Sequence, residues 1–213
     1  QEDVIERIPI GEEVTFVSPM RVVSKNKLDE DGDLVVRITS DARMLNRAVK
    51  PNCKKLMPNK KQIIYNLNGK KFFSKLDIRN AFHTLALNEK CLKHTAFSTP
   101  WGRWRYKRLW MGFSPSSDLY NETVVEELSD LVDTQSNIDD TLCASVTIEE
   151  AEAAAEALVK RFDELNLTCD IEKCKFLETE VEYWGLTINS EGIKPKQSTV
   201  DDLLNTKLPQ DLK

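Results

Sequence analysis

Glycine is scarce in this 213-residue chain, and the glycine-rich loops that commonly hold phosphate groups are missing. Its seven glycines form neither a G-x-G-x-x-G nor a G-x-x-x-x-G-K-[ST] pattern. Both patterns place backbone amides around a phosphate at the start of a helix. Their absence argues against a dinucleotide enzyme and against a P-loop nucleotide hydrolase. If this protein handles phosphates, it does so in another way.

Residues that bind zinc are also few. The chain has two histidines, His83 and His94, and an odd number of cysteines without a C-x-x-C pair. Such pairs are the usual mark of a structural zinc site, so the sequence argues against one. The five cysteines are Cys53, Cys91, Cys143, Cys169 and Cys174.

Long hydrophobic runs are absent as well. Hydrophobic residues make up 40% of the chain and charged residues 31%, and no basic-then-apolar leader opens it. No run approaches the roughly 20 apolar residues that a membrane span needs. We therefore expect a soluble globular protein that is intracellular and has no membrane partner.

Charge is divided unevenly along the chain. The net charge of −5 is the sum of +10 over residues 1–117 and −15 over residues 118–213. The stretch from Arg43 to Arg79 holds eleven cations and one anion, Asp77. Such a stretch suits a phosphate backbone, whose binding is dominated by cations. A solvated lysine-rich surface explains the same charges, so charge alone does not decide between the two.

Local patterns predict an alternation of strands and helices. In the first half we expect a hairpin of strands 14–25 and 34–39, a helix at 41–47 with Asp41 as N-cap, an irregular connection through Pro51 and Pro58, a strand at 72–78, and a hairpin at 96–109 that turns at 100–102. In the second half we expect a helix from about Ser114 to Asp133, two small strands within 136–144, a helix from the capping box at 147–150 to about Leu165, a strand at 167–177, a hairpin at 181–193 that turns at 189–192, and a helix that begins after Ser198 and stops soon after Pro209. This order indicates an α+β fold with an antiparallel sheet backed by helices.

Three carboxylates interrupt otherwise hydrophobic segments. Asp77 ends a predicted strand, and Asp139 and Asp140 lie in a turn between apolar residues. A charged side chain rarely interrupts a core strand unless a partner or a metal holds it. Mg²⁺ prefers oxygen ligands and is usually held by one or two carboxylates plus substrate phosphates. These acids are therefore candidates for a metal site that supports phosphoryl transfer. The alternative is that they have no such role, since Asp-Asp pairs are common and this chain has another, Asp201-Asp202, with no assigned role.

Six segments occur in an order that is specific to one family. They are SPMRVVSK at 18–25, R-x-x-x-D-x-R-x-L-N at 37–46, NGKKFFSKLDIRNAFHTLAL at 68–87, KHTAFSTPWGRWRYKRLWMG at 93–112, I-D-D at 138–140, and EKCKFL with VEYWGLTINSEGIKP at 172–195. The chain resembles the reverse transcriptases of gypsy-type LTR retrotransposons and, more distantly, of retroviruses. The resemblance covers nearly the whole chain.

The resemblance implies the fingers and palm of a right-hand polymerase. It assigns residues 1–76 and 98–116 to the fingers, 77–97 and 117–200 to the palm with a primer-positioning hairpin at 181–195, and 201–213 to the start of a thumb or to a linker. It further implies a longer parent chain with thumb, connection and RNase H domains. The implied location is the cytoplasm, with a virus-like particle or the nucleus as alternatives.

The resemblance also implies a catalytic site. Asp77, Asp139 and Asp140 match the palm positions that bind two Mg²⁺ ions, or Mn²⁺ in their place, with Asp77 and Asp139 as the principal ligands. Phe82 is similar to the aromatic gate that excludes a ribose 2′-hydroxyl. An ordinary core aromatic is the local alternative for Phe82.

Further residues match the family's contacts with the deoxynucleoside triphosphate and the primer. Lys25 and Arg37 match the triphosphate cations of the fingers, with Lys27 as the competitor for Lys25. Backbone amides from Arg79 through Asn80 and Ala81 to Phe82 match a further triphosphate contact, and Met111 lies in the nucleotide pocket. Tyr183, Trp184 and Gly185 match the primer-positioning hairpin, for which a buried tryptophan is an equally good local explanation.

Two departures from the family pattern bear on activity. Asn137 stands before I-D-D where relatives have an aromatic or aliphatic residue. In WMGFSPSSDLYN, at 110–121, only Gly112 and Tyr120 hold the family pattern, so the floor of the nucleotide pocket is altered.

Three functions are therefore open. The first is an RNA- and DNA-templated DNA polymerase acting on a template-primer. The second is a non-catalytic descendant that binds nucleic acid or serves in assembly. The third, an acidic protein-interaction domain, leaves the basic first half unexplained.

Overall fold

A computed structural model describes residues 3–28, 31–49 and 60–206 of the chain. The side chains of Lys25, Asn26 and Lys60 lie outside this description, as do the predicted connection through Pro51 and Pro58 and the helix end near Pro209. The chain divides into two units. The first comprises Gln1–Leu56 and Asn80–Glu122, and the second comprises Met57–Arg79 and Thr123–Lys213.

The described residues form twelve strands, six α-helices and two short 3-10 helices, at Ala81–Thr84 and Ile171–Lys173. The strands are β1 (Ile5–Arg7), β2 (Val17–Leu28), β3 (Leu34–Ser40), β4 (Phe72–Asp77), β5 (Ala96–Thr99), β6 (Gly102–Tyr106), β7 (Thr134–Asn137), β8 (Asp140–Ser145), β9 (Lys175–Glu178), β10 (Glu180–Tyr183), β11 (Leu186–Asn189) and β12 (Gly192–Pro195). The helices are α1 (Arg43–Ala48), α2 (Lys60–Leu67), α3 (Glu89–Leu92), α4 (Ser116–Glu127), α5 (Ile148–Glu164) and α6 (Gln197–Asn205).

The first unit is built on a five-stranded sheet of order β1-β6-β5-β2-β3. Its strands pair antiparallel except for β2 and β5, which pair parallel. The hairpins predicted at 14–39 and 96–109 are confirmed as β2–β3 and β5–β6. The helix predicted at 41–47 is α1, but its N-cap is Ala42. The Asp41 carboxylate nevertheless accepts a 3.3 Å hydrogen bond from the Arg43 amide at the start of α1, and it also forms an ion pair with the Arg43 guanidinium at 2.6 Å.

The second unit contains a four-stranded antiparallel sheet of order β7-β8-β4-β9 and a three-stranded sheet of order β10-β11-β12. Buried Phe73 and Leu142 of the larger sheet join a core cluster with Ile63 of α2 and with Val181 and Ile188 of the smaller sheet. Helix α5 packs against β4, β8 and β9. These packed elements hold the end of β4, and thus Asp77, in a fixed position.

Strong local signals predicted the bounds of several second-unit elements. The strand ending in Asp77 is confirmed, as are the two small strands around the I-D-D turn. The capping box is also confirmed, since the Thr147 hydroxyl accepts from the Glu150 amide and the Glu150 carboxylate accepts from the Thr147 amide, both at 3.3 Å. Each of these features is specified by residues close together in the sequence.

Three predicted elements differ from the structure. Helix α4 ends at Glu127 rather than near Asp133, because the Glu127 carbonyl accepts a hydrogen bond from the Arg161 guanidinium and Asp133 adopts a left-handed φ of 56°. The strand predicted at 167–177 is instead a single β-bridge at Cys169, the second 3-10 helix, and β9. The hairpin at 181–193 has a second turn, at Trp184-Gly185, and α2 was not predicted.

Among the described residues, no helix is long and apolar enough to cross a bilayer.

Gly112 lies in a close backbone approach that no other residue type fits. Its φ is +101°, and an added Cβ would lie 2.5 Å from the Ser40 carbonyl oxygen. Gly185 shares a positive φ, +74°, but a Cβ there would meet nothing within 4 Å. Substitutions at the two glycines therefore distinguish the free-energy cost of a left-handed backbone from that of a steric clash.

We predict that Gly112→Ala lowers the free energy of unfolding by about 3 kcal/mol, since left-handed alanine and overpacking each cost roughly 1–3 kcal/mol. Gly185→Ala should lower it by about 1 kcal/mol, from the backbone alone. Urea denaturation of both variants measures the difference. Equal losses would show that the Ser40 contact is unimportant.

Candidate active site

Strand pairing brings two of the three predicted carboxylates together. Asp77 ends β4 and is the direct cross-strand partner of Asp140, which begins β8. Directly opposed residues of an antiparallel pair project from the same face, so these two side chains are neighbours. Asp139 lies in the turn before Asp140, and its carbonyl oxygen accepts a 2.6 Å hydrogen bond from the Ile78 amide. All three acids thus lie at one end of the four-stranded sheet.

The Asp77 carboxylate is held by a lysine from the segment after α5. Lys173 Nζ lies 3.0 Å from Asp77 Oδ1 and 3.1 Å from Asp170 Oδ2. The hydrogen bonds to Asp77 and then to Asp170 raise the pKa of Lys173, so its positive charge is favoured. The Asp77 side chain is only 16% exposed, which leaves it dependent on such a partner.

Asp140 has its own lysine. Lys75 Nζ lies 3.0 Å from Asp140 Oδ1 and also donates to the Glu182 carbonyl at 3.3 Å. The buried Tyr183 ring is nearby, and its pKa is raised by burial and then by the charge of Asp140. The Tyr183 hydroxyl has no hydrogen-bond partner among the residues that the structure describes.

The side chains described so far do not form a complete metal-binding group. In residues 3–28, 31–49 and 60–206, no group of three or more His, Cys, Asp or Glu side chains is placed to hold an ion. The chemistry of the donors nevertheless fits Mg²⁺ or Mn²⁺, because hard carboxylate oxygens are the ligands that these ions prefer. Asp77 and Asp140 each contact an ammonium group, so both carboxylates already attract cations.

In the first unit, the predicted gate residue packs against another ring. Phe82 lies in the first 3-10 helix and meets Tyr120 edge-on, with ring centroids 5.7 Å apart. Asn80 precedes this helix in a left-handed conformation, φ 53°, and the His83 amide donates to its carbonyl at 2.8 Å. Phe82 is partly exposed, so both its gate role and the core alternative remain predictions.

The residues predicted to contact the triphosphate are not all available for that contact. The Arg79 amide donates to the Thr168 carbonyl at 2.7 Å within the second unit, so this amide is not free to bind phosphate. The amides of Asn80, Ala81 and Phe82 keep their predicted role. Arg37 is exposed on β3 opposite Val23, while the Lys25 side chain lies outside the described residues and its competitor Lys27 is exposed.

Trp110, which departs from the family pattern, is part of a ring stack. It is 3% exposed and lies between Tyr106 and Phe113, with centroid distances of 5.2 and 5.0 Å and interplanar angles of 8° and 14°. Its indole nitrogen donates to Ser40 Oγ at 2.9 Å. The altered segment is therefore well packed at this position.

Side-chain hydrogen bonds attach the segment after Trp110 to β3 and α1. Thr39 Oγ1 donates to the Met111 carbonyl at 2.7 Å. The Asn46 carboxamide makes two bonds of 2.9 Å, because its nitrogen donates to the Gly112 carbonyl and its oxygen accepts from the Ser114 amide. Asn46 thus fixes the backbone on both sides of Phe113.

The predicted primer-positioning residues form a tight turn. Tyr183 and Leu186 are paired ends of β10 and β11, joined by Trp184 and Gly185 with φ of 50° and 74°. Two positive φ angles are typical of the turns that suit hairpin twist. Tyr183 is 1% exposed, and Trp184 packs partly buried against the core of the second unit. Burial thus accounts for much of the local pattern at these two residues.

Sequence reasoning missed the residues that pair with the carboxylates. Lys75 stands two positions before Asp77, and alternation along a strand places both on one face. That signal could have identified Lys75. Lys173 and Asp170 gave no such signal, because their approach to Asp77 depends on the path of the chain after α5.

The comparison with protein families gives a direct result. A family model described as reverse transcriptase (RNA-dependent DNA polymerase) matches residues 29–188, most of the chain. The chain belongs to the reverse transcriptase family.

Relatives of this family member include retrotransposon polyproteins. The Pol polyproteins of transposon 297 and transposon gypsy from Drosophila melanogaster are each 27% identical to it, over 91% and 84% of the chain. The Tf2-3 polyprotein of Schizosaccharomyces pombe is 26% identical over 84%. The chain spans only 18%, 17% and 13% of these three proteins. The predicted resemblance to gypsy-type reverse transcriptases is confirmed.

Solved structures of the family share the fold. A foamy viral protease-reverse transcriptase in complex with double-stranded DNA aligns with a TM-score of 0.84 at 23% identity, over 98% of this chain and 35% of that one. A complex with an RNA/DNA hybrid aligns with a TM-score of 0.79 at 23% identity, over 97% and 26%. The predicted α+β fold of polymerase fingers and palm is confirmed.

We predict that Asn46→Ala lowers the free energy of unfolding by about 2 kcal/mol, because two backbone groups lose their partner and unpaired groups cost roughly 1–3 kcal/mol. Hydrogen exchange at the Ser114 amide should also become faster. The control is Asn66→Ala, since Asn66 is exposed and its side-chain oxygen accepts a 3.1 Å bond from the exposed Gln62 side chain. Equal stability of the two variants would contradict the assigned role of Asn46.

Proposed function

We propose that this chain is the fingers and palm of a polymerase that copies RNA and DNA templates into DNA. It would add deoxynucleotides to a primer 3′-hydroxyl by metal-assisted phosphoryl transfer. The observation that carries the proposal is the cross-strand pairing of Asp77 with Asp140, with Asp139 in the adjoining turn, in a member of this family. Positioning and charge neutralisation are what phosphoryl transfer needs from a protein.

The proposed roles follow from the chemistry of the side chains. The Asp77, Asp139 and Asp140 carboxylates would hold two Mg²⁺ or Mn²⁺ ions. When bound, such ions neutralise charge on the transferring phosphoryl group and activate the primer hydroxyl. Lys75 and Lys173 would exchange their carboxylate contacts for other partners as the ions bind.

Binding of the triphosphate is assigned to the first unit. Arg37 and Lys25, or Lys27 in its place, would contact the phosphates, and guanidinium groups are well suited to that contact. The Asn80, Ala81 and Phe82 amides would add donors, with Met111 in the pocket. The Phe82 ring, supported by Tyr120, would exclude a ribose 2′-hydroxyl.

The partners would be a template-primer and deoxynucleoside triphosphates, with the turn Tyr183-Trp184-Gly185 positioning the primer. Solved relatives were determined with double-stranded DNA and with an RNA/DNA hybrid. The polyprotein relatives are several times longer than this chain, which supports a longer parent chain. That parent would carry thumb, connection and RNase H domains. The proposed location is the cytoplasm, with a virus-like particle or the nucleus as alternatives.

A second candidate function is a non-catalytic module that binds nucleic acid or serves in assembly. It is favoured by the lysine partners, since Lys173 and Lys75 already contact Asp77 and Asp140. Stable ion pairs would make the acids structural rather than catalytic. The two candidates differ in whether divalent ions compete successfully with these lysines.

We predict primer extension on RNA and DNA templates that requires divalent metal and falls at least about 100-fold in Asp139→Asn, because one charged ligand is lost. Radiolabelled extension products measure the rate. Asp202→Asn is the matched control, since it removes one acid of an exposed Asp-Asp pair on α6 and should retain full activity.

Absence of extension by the unaltered chain, together with salt-sensitive binding to a template-primer, would favour the non-catalytic module. Loss of activity in Asp202→Asn as well would show that the effect is not specific to the proposed site.

We further predict that Phe82→Ala incorporates ribonucleotides more readily, because removing the ring opens space for the 2′-hydroxyl. A loss of about tenfold in the ratio of kcat/KM for deoxynucleotide over ribonucleotide corresponds to about 1.4 kcal/mol of discrimination. Phe82→Tyr keeps a ring and should keep the ratio. Unchanged discrimination in an active Phe82→Ala chain would contradict the gate assignment.

A further inference from the structure

The segment that follows α5 wraps around the end of β4. The Asp170 amide donates to the Asp77 carbonyl at 2.9 Å, and Cys169 forms a β-bridge with Ile78. The Cys174 amide then bonds back to the Asp170 carbonyl at 3.2 Å, closing one turn of chain. The loop from Cys169 to Cys174 therefore begins and ends beside β4.

The two ends of this loop carry neighbouring thiols. Cys169 and Cys174 are both free and half-buried, and the Cys174 thiol lies near enough to Cys169 to affect its pKa. Burial, the neighbouring Cys174 and the charge of Asp77 raise the pKa of Cys169 to about 12. Neither thiol is assigned a role in the proposed polymerase reaction.

Such a pair of thiols could bind a metal ion or form a disulfide. A soft metal ion would need further ligands, but within the described part of the chain no three His, Cys, Asp or Glu side chains are grouped to hold an ion. A disulfide needs only two sulfurs in reach and backbone ends close enough for its geometry. The Cys174 amide bonds to the carbonyl of Asp170, the residue after Cys169, so the chain turns back toward Cys169. The arrangement favours a covalent link over a metal site.

We propose that Cys169 and Cys174 are a site of reversible disulfide formation next to Asp77. The link closes a six-residue loop that contains Asp170 and Lys173, both of which contact Asp77. Oxidation of this pair therefore changes the chain directly around the candidate active site. The proposal does not depend on the proposed function, because it concerns only the thiols.

The oxidant is a peroxide such as hydrogen peroxide. Cys174 attacks the peroxide first, because the raised pKa of Cys169 makes that thiol the weaker nucleophile. The O–O bond breaks, and the Cys174 sulfur becomes a sulfenic acid as one water leaves. The Cys169 thiol then attacks that sulfur, forming the S–S bond and releasing a second water. Two thiols and one peroxide thus give one disulfide and two waters, and a dithiol reductant reverses the change.

The sequence makes the link easy to detect. Trypsin cleaves after Arg161, Lys173 and Lys175, so Cys169 and Cys174 fall in separate peptides, 162–173 and 174–175. The intact chain is treated with hydrogen peroxide, alkylated, digested and analysed by mass spectrometry. We expect these two peptides joined by a disulfide, and separated again after dithiothreitol. Where cleavage after Lys173 is missed, peptide 162–175 should have lost two hydrogens.

Three variants serve as controls. Cys174→Ser should yield no joined product. Cys91→Ser removes an exposed cysteine elsewhere and should leave the yield unchanged. Asp77→Asn removes a proposed metal ligand but keeps both thiols, so the link should still form. Formation of the link in an unaltered chain that shows no polymerase activity would leave this inference standing while the proposed function failed.

At micromolar chain concentration, the internal link should form roughly 1,000-fold faster than links to Cys91, because tethered groups have effective concentrations in the millimolar range or above. The proposal is overturned if Cys91 is oxidised while Cys169 and Cys174 are recovered as free thiols or as separate sulfinic acids.

Discussion

The pairing of β4 with β8 is the constraint on which the candidate site depends. The register sets Asp77 opposite Asp140, and it is fixed by buried residues of both strands such as Phe73 and Leu142. A slip of one residue would turn these side chains to the other face and expose apolar surface. The hydrophobic core, rather than any interaction between the acids, therefore determines where the carboxylates meet.

Acids at directly opposed positions of paired strands need nearby positive charge. Like charges at such positions are destabilising, and Lys75 and Lys173 offset the repulsion from within the same unit. Lys75 is held on the same sheet as the acids, whereas Lys173 belongs to a loop attached to β4 by backbone hydrogen bonds. The two lysines therefore differ in how freely they could move when a metal binds. Lys173, which is more exposed, is the easier one to displace.

Sequence analysis predicted those features that local residues specify. The β2–β3 hairpin, the strand ending in Asp77 and the capping box at Thr147 depend on turn formers, alternation or spacing within a few residues. The end of α4 depends on Arg161, which is 34 positions beyond Glu127, and no local pattern shows that contact. The carboxylates were found because charges in apolar segments are unusual. Their lysine partners were missed because the pairing arises only when distant segments fold together.

The two departures from the family pattern, at Trp110 and at Asn137, differ in their effect on stability, and the structure shows the difference. Trp110 brings an indole nitrogen into a buried stack, but that nitrogen bonds to Ser40 and both ring faces are covered. Asn137 also brings a polar group to the end of a strand, and its buried Oδ1 has no hydrogen-bond partner among the described residues.

A buried acceptor without a partner costs free energy, whereas a satisfied donor in a packed stack does not. Asn137 is the cross-strand partner of Asp140, so its unpaired oxygen destabilises the turn that carries Asp139 and Asp140. Of the two departures, Asn137 is thus the one through which the sequence could weaken catalysis. The departure at Trp110 is not by itself evidence that activity has been lost.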